Sequence, residues 1–149
     1  MIRLLKTDNN FALTVVRLTL AAVYFPHGAQ KLLGWFGGRG FIGTIHTFDQ
    51  LYHIPSFLVV LAIAAEFFGA IGLIIGFCTR AAAFGIAVTI LVAIETVTWQ
   101  NGFFMNWAGK QHGEGIEFQI LAFGICLALI LKGAGAFSVD RLLSRKSAT

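Results

Sequence analysis

Charge is scarce in this sequence. Only 12% of its 149 residues are Asp, Glu, Lys or Arg, where a soluble domain carries about 25%, so an ordinary water-facing globular surface is excluded. Cysteine is scarcer still: Cys78 and Cys126 are too few for a disulfide framework. They fall at different depths, so two buried thiols are expected. No CxxC pair is present, which argues against dithiol chemistry within the chain. Four histidines are spread along the sequence, and no second apolar block carries one that could oppose His27 across a haem. Internal repeats and low-complexity segments are absent, and nothing in the net charge of +4 points to nucleic acid.

What is abundant is apolar sequence, 57% of the chain, gathered into four blocks. A bilayer core of about 30 Å needs roughly 20 apolar residues per helix. The blocks predict spans over about 11–34, 54–77, 80–98 and 116–133, in an all-α, integral membrane four-helix bundle forming one domain over 1–149. Arg17 interrupts the first block and no cleavage site follows it, so that block reads as a retained span and not a signal peptide. Arg3, Lys6, Arg80, Arg141, Arg145 and Lys146 fall on one side; Arg39 and Lys110 fall on the other, with Lys31 near it. By the positive-inside rule both termini are expected in the cytoplasm (N-in/C-in), in a multi-pass protein of the cell inner membrane.

Between spans one and two, Phe41, Ile45, Phe48 and Tyr52 recur at helical spacing, which predicts a short interfacial helix. His46, Asp49 and His53 share its other face; such a face is more often solvated than metal-binding, and no metal site is expected. Pro55 opens the second span. Cys78-Thr79-Arg80 makes a tight turn, and Trp99 and Trp107 sit at headgroup level. The tail, 137–149, is basic and amphipathic, with Ser138 as its N-cap.

Ionisable residues inside spans carry the functional signal, because a charge near the bilayer centre costs about 2.5–3.5 kcal/mol on insertion scales. Arg17, Tyr24, Gly28 and Lys31 form one stripe of the first helix, which should face the bundle. Pro26 interrupts the stripe, and a bend there would open a pocket outward. Counting 1.5 Å per residue, Arg17 lies about 9 Å from the cytoplasmic boundary and Glu66 lies near the midplane. A buried Arg17–Glu66 ion pair is therefore expected; a protonated Glu66 is the competing possibility. Gly72 and Gly76 have the spacing of close helix packing. Towards the external end, His27, Lys31, Glu95 and Glu117 converge beneath a rim that includes Trp35, a candidate ligand site. The competing reading is that these side chains snorkel to water.

Three stretches resemble the DoxX family of small membrane proteins: RLTLAAVYFPHGAQKL, EFFGAIGLIIGFCTRAAA and GIEFQILAFGICLALILKGAGAFSVDRLL. Together they cover about residues 17–143. The resemblance implies a four-helix bundle in a prokaryotic cytoplasmic membrane. It also implies association with quinone-linked sulfur oxidation, as the membrane subunit of a thiosulfate:quinone oxidoreductase, or with oxidative-stress complexes containing soluble redox partners. The expected function is a redox-associated subunit binding a quinone-like lipophilic ligand and a partner protein, with no covalent cofactor. A small transporter or proton pathway, or a structural assembly factor, are the alternatives, and the glycine-rich faces allow homo-oligomerisation.

Overall fold

The computed structural model describes residues 5–146; Arg3 and the last three residues of the tail lie outside them. Among the described residues the regular structure is entirely helical. Helix α1 spans Phe11–Leu33, α2 Gly40–Tyr52, α3 Ser56–Ile75, α4 Thr79–Ala93, α5 Glu117–Lys132 and α6 Val139–Lys146. α4 continues through a π-helical turn, Ile94–Thr98, and a 3₁₀ turn, Trp99–Asn101.

Among the described residues, three helices are long and apolar enough to cross a membrane: Phe11–Leu33, Ser56–Ile75 and Thr79–Asn101. α5 has 16 residues, which at 1.5 Å each is about 24 Å. α1 packs on α3, α3 on α4 and α4 on α5, and α5 closes back onto α1. Small residues line the core: Ala21, Ala70, Ala83, Ala87 and Ala122 pack with Leu20, Leu73, Ile86, Ile90 and Leu129. Small side chains let helix backbones approach where lipid supplies no hydrophobic drive. The outward faces are apolar too, with Phe57, Leu61, Phe68, Phe84, Leu121 and Leu131 all more than 60% exposed. Contiguous exposed apolar surface on this scale belongs against lipid or partner protein, not water.

α1 opens at Asn10, whose side chain caps the backbone N–H of Ala12 at 2.8 Å. It runs on through Pro26 as one helix and stops at Gly34 in the left-handed region (φ 75°). α2 leans on α1 and α3, with Thr44 Oγ1 donating to the Lys31 carbonyl at 3.2 Å. Pro55 stands just before α3, and its carbonyl accepts from Leu58 N–H at 2.9 Å.

The predicted glycine seam at Gly72 and Gly76 proves to be a turn. Phe77 N–H donates to Gly72 O at 2.8 Å and Gly76 N–H to Leu73 O at 3.3 Å, the Schellman closure of a helix C-terminus. Gly76 takes φ 70°, and a Cβ there would lie 2.4 Å from Ser138 Cβ. Glycine is needed for the backbone conformation and for the chain that crosses it. The tail begins as predicted: Ser138 Oγ accepts from Arg141 N–H at 3.3 Å, the N-cap bond to the third helical residue.

Candidate functional site

Two polar assemblies lie within the apolar bundle. The first joins α1 to α3. Gly28 of α1 lies so close to α3 that a Cβ on it would fall 2.6 Å from Phe67 Cα, and the rings of Phe25 and Phe67 stack at 5.7 Å beside it. That approach brings Lys31, one turn further along α1, against Glu66. Lys31 Nζ donates to Glu66 Oε1 at 2.5 Å and also to Oε2. The pair is unequal in exposure: the Glu66 side chain is 7% exposed, that of Lys31 26%. The lysine side chain thus keeps part of its surface exposed beside the sheltered carboxylate. His27 lies on the exposed face of α1, its ring 6.0 Å from that of buried Tyr24.

The second assembly corrects the expected Arg17–Glu66 pair. Arg17 is 1% exposed but meets no carboxylate; its guanidinium donates to backbone carbonyls. Nε reaches Ala134 O at 3.1 Å, Nη1 reaches Ile74 O at 2.9 Å and also Leu73 O, and Nη2 reaches Phe137 O at 3.1 Å. The last carbonyls of a helix have no intrahelical partners, and the negative end of the helix dipole favours a cation. At the depth of Arg17 the facing part of α3 is its C-terminus, and Glu66 lies about two turns away, at the level of Lys31. The buried Asp140 completes this knot, accepting from Cys78 N–H at 2.7 Å and Thr79 N–H at 2.9 Å at the start of α4. Arg80 does the same for α5, donating to Leu131 O at 2.9 Å and to Ile130 O.

Of the residues expected at the external rim, Lys31 is joined to Glu66 with His27 nearby, and the hydrogen bonds among the described residues tie none of Trp35, Glu95 or Glu117 to that pair. Glu117 is the first residue of α5, and its Oε2 accepts from Met105 N–H at 3.1 Å, fastening the loop that precedes it. Glu114 holds Asn106 N–H in the same loop at 2.7 Å. Glu95 stands exposed on the π-helical turn without a hydrogen-bond partner among the described residues. Trp35 is 53% exposed in the turn after α1, with its ring edge-on to Phe36. His46 and Asp49 are exposed, and His53 leaves the helix in the left-handed region (φ 53°). Among the described residues no group of three His, Cys, Asp or Glu could hold a metal ion. Both cysteines are free; Cys126 is buried, but Cys78, in the turn between α3 and α4, is exposed, which corrects the expectation of two buried thiols.

Two hollows open elsewhere on the surface. One, of about 680 Å³, lies between the π-helical turn and the loop before α5, lined by Thr98, Asn101, His112, Glu114 and Gln119 among others. The other, of about 340 Å³, lies where α3 ends beside α6.

Regular structure that is all helical among the described residues, lipid-grade outer faces, a partly sheltered lysine–glutamate pair and helix ends tied by arginine define a small helical membrane protein. The chain belongs to the DoxX family, whose family model matches residues 12–99. It is 27% identical over 143 residues to "Inner membrane protein YqjF" of Escherichia coli (strain K12), covering 95% of this chain and 99% of that one. It is 30% identical over 145 residues to a Haemophilus influenzae protein named only "Uncharacterized protein", with 91% and 93% covered. A third relative, "Putative oxidoreductase CatD" of Bacillus subtilis (strain 168), is 27% identical over 126 residues, with 85% and 82% covered. No solved structure matches.

Proposed function

We propose that this protein is a redox-associated subunit of the bacterial inner membrane, holding the head group of a quinone-like lipophilic ligand at Lys31 and Glu66 and docking a redox partner protein. The observation that carries this reading is the half-open Lys31–Glu66 pair. Glu66 is sheltered and paired, while the Lys31 side chain stays partly exposed at the α1–α3 seam. A quinone ring carries carbonyl oxygens that accept hydrogen bonds, and Lys31 is a donor of the right kind. His27, on the exposed face of α1, is the second polar group at that seam. A ligand dissolved in the bilayer would approach the pair sideways, against the helix surface, with its tail left in lipid. When bound, such a ligand supplies two-electron redox chemistry; the chain's own residues bind and orient the ring, and Glu66 offers a carboxylate for its protons. The name of the Bacillus subtilis relative, "Putative oxidoreductase CatD", is consistent with this class of role.

In the same reading α5 is the fourth span. It fills its side of the core with Ala122, Cys126 and Leu129, and Arg80 and Glu117 tie its two ends. The ends of α1 and α4 near Lys6 and Arg80 would face the cytoplasm.

The test is quinone binding by the purified protein, extracted with its bound lipids, for wild type, Lys31→Ala and Glu117→Gln. Loss of affinity in Lys31→Ala with affinity retained in Glu117→Gln is expected, because Glu117 serves the loop. Equal affinity in all three would remove the site. Proton flux in liposomes abolished by Glu66→Gln would instead favour a proton pathway.

A further inference from the structure

At the far end of the bundle from Lys31, the hollow of about 340 Å³ has two unlike walls. Ile75, Phe137, Val139 and Leu142 form an apolar one, and Arg141 with Arg145 forms a cationic one. Phe137 is 81% exposed although its backbone sits at φ 49°, a region that non-glycine residues avoid. The conformation is held from below, since the Phe137 carbonyl accepts from Arg17 Nη2. Its ring is therefore presented outward, edge-on to the exposed ring of Phe11 at 6.4 Å. Leu142 is 63% exposed on the helix that follows.

The charges around this hollow are of one sign. Arg141 and Arg145 stand at i and i+4 on α6, an arrangement in which like charges repel. Arg141 spends one donor on Asn9 Oδ1; among the described residues Arg145 has no hydrogen-bond or ion-pair partner. The acid of this helix, Asp140, is 1% exposed and occupied by Cys78 N–H and Thr79 N–H. No carboxylate among the described residues is paired with either guanidinium.

Two unneutralised guanidiniums above an apolar wall are complementary to a molecule with an anionic head and a hydrocarbon body. We propose that this hollow is a binding site for an anionic phospholipid. Its phosphate would lie between Arg141 and Arg145, which suit phosphate oxygens, and its acyl chains would run past Phe137, Leu142 and Ile75. A zwitterionic lipid carries its own cation and so gains less from the second guanidinium. A soluble phosphate lacks the hydrocarbon that the apolar wall covers. The site places α6 flat in the interface, where basic amphipathic helices lie.

The experiment uses the full-length protein in neutral detergent, with bound lipid counted by native mass spectrometry during titration with phosphatidylglycerol, phosphatidylcholine or inorganic phosphate. One phosphatidylglycerol should bind at least about tenfold more tightly than phosphatidylcholine, and millimolar phosphate should not displace it. The double variant Arg141→Gln/Arg145→Gln should lose the preference, and Phe137→Ala should weaken both lipids alike. Arg39→Gln/Lys110→Gln, changing charges towards the other end, should retain it. Arg145→Gln alone removes no hydrogen bond or ion pair among the described residues, so it must lower the preference even if the double variant fails to fold. An unchanged preference in Arg145→Gln, or displacement by phosphate as effective as by lipid, would overturn the proposal.

Discussion

Arg17 shows what a single residue's chemistry makes legible and what it hides. That a guanidinium in an apolar helix must turn inward is readable from the cost of leaving it in lipid, and Arg17 is indeed buried. Its partners were not readable, because they are backbone carbonyls, which every residue possesses; only the fold decides which are orphaned. The same geometry left Glu66 to Lys31, a cation already placed on the inward stripe but assigned to the rim. A lysine offers a point charge and cannot spread donors over four carbonyls as the fork of arginine does. Arg17→Lys should therefore lower stability by about 2 kcal/mol and Arg17→Gln by more, at the net worth of charged hydrogen bonds, as read by unfolding in detergent. Lys31→Met alone leaves a sheltered carboxylate uncompensated, at a cost of about 3–5 kcal/mol. Lys31→Met/Glu66→Met should recover most of that loss. A double-mutant cycle with no coupling between the two positions would contradict the pair.

At the scale of helices, the apolar blocks announced the elements, and their ends fell close to the predicted limits because glycine, proline and N-caps mark them. Two features escaped. The π-helical turn at Ile94–Thr98 carries the third long helix past Glu95, and no residue type signals a π turn, since it depends on how the helix accommodates one extra residue. The close approach of α1 to α3 is made by Gly28 and not by the spaced glycines of α3, because only a residue facing the partner backbone can permit contact. Gly28→Ala should therefore force the two helices apart, cost about 1–3 kcal/mol by overpacking and loosen the Lys31–Glu66 contact. Gly124, in the middle of α5, has open space where a Cβ would lie. Gly124→Ala should instead raise stability by up to about 1 kcal/mol, the helix-propensity difference. Thermal unfolding of the two variants side by side reads both signs.

For the whole molecule, charge and thiol placement make orientation measurable. Lys6, Arg80, Lys132, Arg141 and Arg145 gather at the end where α3 meets α4 and where the Arg17 knot ties four chain segments together; Arg39 and Lys110 lie towards the other. Cys78 sits in the α3–α4 turn at the basic end, exposed, while Cys126 is buried in the core. The proposed N-in/C-in arrangement puts Cys78 on the cytoplasmic face. A membrane-impermeant maleimide should then label inverted vesicles and spare intact cells, with Cys126 reacting only after unfolding. Although Cys78 is exposed, partial desolvation of its thiol in the turn and the nearby Asp140 carboxylate push it up from its ordinary value. The reactive species is the thiolate, so a raised value leaves less of it at neutral pH. Labelling should be slow at pH 7 and keep accelerating beyond about pH 8.5, where an unperturbed thiol would begin to level off. Labelling of intact cells with inverted vesicles spared would reverse the orientation, and with it the leaflet from which α6 meets its lipid.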